Sequence, residues 1–159
     1  MRNAVLVALI AAAGTLAGCA SGPRLSAAQQ LALHEQHAGA PVDSFRIGLG
    51  LSGWNSIDDR HLVVHTRPGE AWLLVLQHDC PGLAFAQNIG LTSQIQRVQA
   101  RFDRVLVRDG IVHSCRIGQI RPLDSKALGQ AQTALRQAII EERQQEAGGD
   151  EGTPPSPGR

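Results

Sequence analysis

His61-Leu62-Val63-Val64-His65-Thr66-Arg67-Pro68-Gly69-Glu70-Ala71-Trp72-Leu73-Leu74-Val75-Leu76-Gln77 is the stretch on which the fold turns. Residues 61–67 are rich in Val and Leu and read as a strand. Pro68 and Gly69 then occupy the two central positions of a type II turn, where Pro presets φ and Gly supplies a positive one. The chain returns through Ala71 to Gln77 with Trp72-Leu73-Leu74-Val75-Leu76 unbroken by any polar residue. A strand without alternation is covered on both faces. It is expected at the centre of an antiparallel sheet.

Toward the C-terminus, Asp79-Cys80-Pro81-Gly82 breaks the strand, and Leu83 to Ala86 reads as one helical turn before Asn88 to Ser93. Val98 to Arg108, Asp109-Gly110 and Ile111 to Ile120 then form a second hairpin on an Asp-Gly type I′ signal. A two-residue loop sets Arg108 opposite Ile111, hence Asp103 opposite Arg116 and Phe102 opposite Ile117. Such pairs contribute roughly 0.2–1 kcal/mol each. The same register puts Cys115 beside Arg104 on the Phe102 face, the side expected to look toward Cys80. Pro122 to Ser125 ends the sheet and caps a helix whose Leu128, Ala131, Leu135 and Ile139 make one apolar stripe to dock on the sheet. Glu141 to Ala147 continues it in polar form. Residues 148–159 hold three prolines and four glycines and are expected to be disordered.

Toward the N-terminus, Trp54 to Asp59 reads as a polar connection. Phe45, Ile47 and Leu49 alternate as a first strand, and the glycines from Gly48 to Gly53 suggest a bend or bulge. A helix is predicted from Ser26 to Ala38, opened by the capping box Ser26-Ala27-Ala28-Gln29 and stopped by Gly39 with Pro41 beyond. The predicted architecture is α+β, a curled antiparallel sheet of five or six strands packed with an N-terminal and a C-terminal helix. One such domain over 26–147 suits a chain of 159 residues.

Ahead of it, Met1-Arg2-Asn3 is a short basic start and Ala4 to Leu16 an uncharged, mostly apolar run of 13 residues. That is the length of a signal-peptide core, short of the roughly 20 apolar residues that span a bilayer. Leu16-Ala17-Gly18-Cys19 follows in register and resembles the lipobox of bacterial lipoproteins, in which the cysteine is lipidated and the preceding peptide removed. Residues 1–18 are thus expected as a lipoprotein signal peptide and 19–25 as a lipidated tether. The alternative is an N-terminal helix with a chance cysteine. Ala20, rather than Asp, after the lipidated Cys19 favours the outer membrane over the inner, with the domain facing the periplasm.

With Cys19 consumed by lipid, Cys80 and Cys115 remain. An even pair in an exported domain is most simply a disulfide. Two buried thiols or a redox pair are the other readings, the latter without a CxxC spacing. Hydrophobic residues at 43% suffice for a core, while aromatics at 3% leave Leu, Ile, Val and Ala to fill it. A formal net charge of +1 without any run of like charge argues against nucleic acid as partner.

Gly39-Ala40-Pro41-Val42, Thr66-Arg67-Pro68, Cys80-Pro81 leading to Phe85-Ala86, Ile89-Gly90-Leu91-Thr92-Ser93, Ala100-Arg101-Phe102-Asp103, and Cys115-Arg116-Ile117 through Ile120-Arg121-Pro122 together resemble a family of small Gram-negative lipoproteins known only as a domain of unknown function. The resemblance spans about residues 39–124. It implies an anchored periplasmic domain and supports pairing the two cysteines, and it supplies no activity.

Candidate chemistry is sparse. His61 and His65 share a strand face about 13 Å apart, too far for one metal ion to bridge. His34 and His37 are three apart on the first helix, where solvated side chains are the ordinary reading. Ser93, a histidine and Asp103 make a triad only on paper, and no Gly-x-Ser-x-Gly elbow occurs. Asp58-Asp59 fits a turn. Trp72 reads as core, while Trp54, in a Gly/Asn/Ser-rich loop, is a candidate ligand or partner contact with a lid over the sheet edge as its bland alternative. The sequence therefore reads as a lipid-anchored envelope protein without cofactor, acting as a non-enzymatic binding or accessory module for an envelope protein partner. The alternative is a small periplasmic hydrolase or metal-handling protein using its histidines.

Overall fold

The computed structural model describes residues 24–48 and 50–149. The expected signal peptide, Cys19, most of the tether, Leu49 and nearly all of the expected tail lie outside them. Helix α1 (Ala27–Gln36) is followed by β1 (Ser44–Arg46), β2 (Gly53–Ser56), β3 (His61–Arg67), β4 (Glu70–Leu76), a 3-10 turn (Leu83–Phe85), β5 (Ile89–Leu91), β6 (Arg97–Gln99), β7 (Arg104–Asp109), β8 (Ile111–Leu123) and α2 (Ser125–Gly149). Six strands form one antiparallel sheet in the order β2-β3-β4-β8-β7-β5, and β1 pairs with β6 as a separate ribbon. The α+β architecture is as expected, with β4 central.

The capping box forms as read: Gln29 N–H donates to Ser26 Oγ at 3.2 Å and Ser26 N–H to Gln29 Oε1 at 2.9 Å. The first hairpin turns on Pro68 and on Gly69 at φ 78°. Alternation along β3 and β4 then separates two cores. Leu62, Val64, Leu74 and Leu76 face one with Phe45 of β1 and Val98 of β6, while Val63, Ala71 and Leu73 face the other with Leu31 and Leu33 of α1 and Leu128 of α2. Both faces of β4 are covered, which is what its unbroken apolar run required. Phe45 stacks on Trp72 with ring centroids 5.1 Å apart, so Trp72 belongs to the first core.

Strand β8 joins the halves of the sheet. Its C-terminal half pairs with β4, from Leu76↔Ile117 to Ala71↔Leu123, and its N-terminal half pairs with β7. The β4 register shifts between Val75↔Gln119 and Leu76↔Ile117. This bulge at Gly118 brings Ile117 and Ile120, both fully buried, onto the same core.

Four expectations need correction. Trp54 to Ser56 is a strand, paired with β3 from Gly53↔His65 to Ser56↔Leu62. Polar residues are tolerated there because β2 is an edge, held by backbone hydrogen bonds on one side. The predicted strand from Val98 is broken at Ala100–Asp103, where Arg101 takes φ 67°, so Val98 belongs to the small ribbon. The second hairpin is one residue out of the expected register: Arg108 faces Val112, Val105 faces Cys115, and Arg104 faces Arg116. Gly110 at φ 74° turns the chain, and the slip puts Val105, Val107 and Cys115 on the first core. Phe102 stands 75% exposed instead of opposing Ile117. Finally, α2 docks through Leu128 while Ala131, Leu135 and Ile139 remain only half-buried. Ile89–Leu91, to which the sequence reading assigns no element, supplies the short edge strand β5.

Candidate functional site

Cys80 and Cys115 are joined, with Cα atoms 5.7 Å apart. The bond ties the chain leaving β4 to the N-terminal half of β8, whose edge on that side lies beyond the end of β4 pairing at Ile117. Between the two runs a groove of about 450 Å³, lined by residues 77–79 and Pro81 on one side and by Arg104 and residues 113–116 on the other. It is open, carries two arginines and is stapled across by the disulfide.

The arginines in it are set by strand geometry. Arg104 N–H donates to Thr92 Oγ1, and its carbonyl accepts from Thr92 N–H, so its backbone points toward β5. Arg116 carbonyl accepts from Gln77 N–H on the other side. Arg104 and Arg116 therefore form a non-hydrogen-bonded pair, the closer kind, with Cα atoms about 4.5 Å apart. Among the described residues no carboxylate lies within 4.0 Å of either guanidinium. Asp103, predicted to neutralise Arg116, is buried elsewhere and accepts from Thr92 Oγ1 at 2.7 Å and Gln99 N–H at 2.7 Å.

Four of the six histidines are dispersed over the fold, while His78 and His113 both line the groove. His61 sits opposite Val75 and its Nδ1 lies 2.9 Å from Asp58, His65 sits opposite Ala71, and His113 sits opposite Val107 beside the groove. His34 is buried on α1 with Nδ1 against Gln30 carbonyl, and His37 caps that helix. Among the described residues no three His, Cys, Asp or Glu side chains are grouped to hold a metal ion. Asp58 and Asp59 do serve a turn. Burial would raise the Asp58 carboxyl, but N–H groups of Arg60 and His61 and the His61 ring donate to it and bring it below its ordinary value of 3.8. Asp59 accepts from Ala84 N–H and so joins the 3-10 turn to the β2–β3 loop.

Trp54 lies on edge strand β2 opposite Val64, half-buried against the first core. Sequence reasoning passed over the Arg104–Arg116 groove because the expected register gave Arg116 an acidic neighbour. Only the shared need of Val105, Val107 and Cys115 for one buried face could have signalled the true one.

No curated protein and no solved structure matches the chain. Residues 1–139, which include the whole sheet, both cysteines of the bridge and more than half of α2, match one family, so the chain belongs to the family of unknown function DUF6491.

Proposed function

We propose that the protein is a lipid-anchored cell-envelope domain that binds an envelope component without catalysing a reaction. The observation that carries this is cysteine usage: the chain has three cysteines, and the Cys80–Cys115 bond leaves Cys19, at the end of Leu16-Ala17-Gly18-Cys19, as the single one free for lipid. A structural disulfide also fits an oxidising compartment. Two or more acyl chains, at about 0.8 kcal/mol per buried methylene, hold a protein at a membrane without a spanning helix, and among the described residues no helix is long and apolar enough to cross one. With Ala20 next in line, the outer membrane facing the periplasm is the favoured address.

The test is Cys19→Ala in cells fed labelled palmitate. The wild-type chain should take up label, lose residues 1–18 and sediment with membranes, and the variant should do none of these. An unlabelled wild-type chain that keeps its N-terminus would overturn the reading.

A further inference from the structure

The groove holds two guanidiniums that the fold does not employ. Other arginines show what structural employment looks like: Arg121 donates to the carbonyls of Gly39 and Ala38, and Arg60 to that of Leu76. Arg97, which also faces an arginine across a strand pair, gives its Nη1 to Ser44 Oγ at 2.8 Å. Arg104 and Arg116 make no such side-chain bond to any described residue, yet stand directly opposite each other at the closer type of pair. Like charges so placed cost stability unless something negative lies between them. The concavity beside them is the space for it. Ser114, two residues before Arg116, presents its backbone to the same unpaired edge of β8, and the Cys80–Cys115 bond fixes the opposite wall. Asp79 lines that wall but is exposed and beyond ion-pair distance of both arginines.

We propose that Arg104 and Arg116 form a site for a phosphate group, which the two guanidiniums clamp in the groove beside the disulfide. A phosphate matches the planar donor forks of both arginines and offsets both charges at once. The proposal rests on the reading of the chain as an envelope-binding module, and it gives that module a ligand chemistry. The phosphate has two natural sources, free phosphate esters and the headgroups of anionic lipid.

The experiment uses the full chain as cells make it, purified in detergent, with arginine side chains labelled with 15N. Inorganic phosphate should shift the Nε signals of Arg104 and Arg116 saturably and raise the melting temperature. Arg104→Gln and Arg116→Gln should each weaken that binding about tenfold or more. Without phosphate, the same variants should melt at or above the wild-type temperature, because each relieves the like-charge pair. A merely structural pair of arginines would give the reverse. A second arm compares the protein in phosphatidylglycerol and in phosphatidylcholine vesicles. Shifts in the first alone assign the site to a lipid headgroup, and shifts with inorganic phosphate but neither vesicle assign it to a free ester. Silence of both signals in every arm, or binding indifferent to both substitutions, would overturn the site. Lipidation at Cys19 is read by palmitate labelling and is untouched by either result.

Discussion

Asp58 shows how one side chain closes a loop. Its Oδ1 takes the N–H of Arg60 and of His61, each at 2.7 Å, which fastens the turn between β2 and β3, and the His61 ring completes the set. Burial opposes the ionised form and these donors outweigh it, so the folded carboxyl titrates below its ordinary 3.8. A lowered carboxyl gives stability that is present above the unfolded value and lost as pH falls through the folded one. The urea midpoint of wild type should thus fall more than that of Asp58→Asn between about pH 6 and about pH 3, and parallel curves would count against the assignment. The sequence does show this turn, because Asp-Asp between two strands is turn chemistry. It does not show Ile95, fully exposed at φ 50° in the tight turn before β6. A β-branched residue there is an outlier that no propensity anticipates.

At the scale of elements, what was legible was whatever depends on neighbours in sequence: the α1 cap, both edges of β3, the Pro-Gly turn and the apex at Gly110. What was not legible was register. The apex fixes where the second hairpin reverses, but burial of Val105, Val107 and Cys115 fixes which residues face, and a slip of one moves each side chain to the other face. The predicted Asp103–Arg116 pair became an Arg–Arg pair for that reason, and the candidate site went unseen with it. Gly118 carries the matching device on the other half of β8. A Cβ there would lie 3.2 Å from the Val75 carbonyl oxygen and 3.4 Å from Gln77 Cγ. Alanine normally improves a strand glycine, but the Val75 carbonyl belongs to the central strand β4 and cannot yield freely. Gly118→Ala should therefore destabilise, by about 1–2 kcal/mol, measured by chemical denaturation. A stabilised variant would mean the bulge is loose.

Taken whole, the molecule is a sheet with two unequal coats. The first core is sealed by the β1–β6 ribbon and the disulfide, whereas the second is covered by α1 and the start of α2. Helix α2 has 25 residues, about 37 Å of helix, yet among its described side chains only Leu128, in the first two turns, is buried, at 7% exposure. The apolar stripe that foretold docking is real, but Asp124 fixes where the helix leaves β8, by capping the N–H groups of Lys126 and Ala127, and that direction carries the later turns off the core. Stability should then be concentrated at one end of the helix. Leu128→Ala should cost about 2–4 kcal/mol, as cavity formation in a core does. Ending the chain after Ile140 removes residues 141–159, of which 141–146 are all exposed, and should change the unfolding free energy by less than about 0.5 kcal/mol. Urea titration of the two variants side by side separates the cases. A truncation as costly as Leu128→Ala would mean that the helix beyond Ile140 packs on the domain after all.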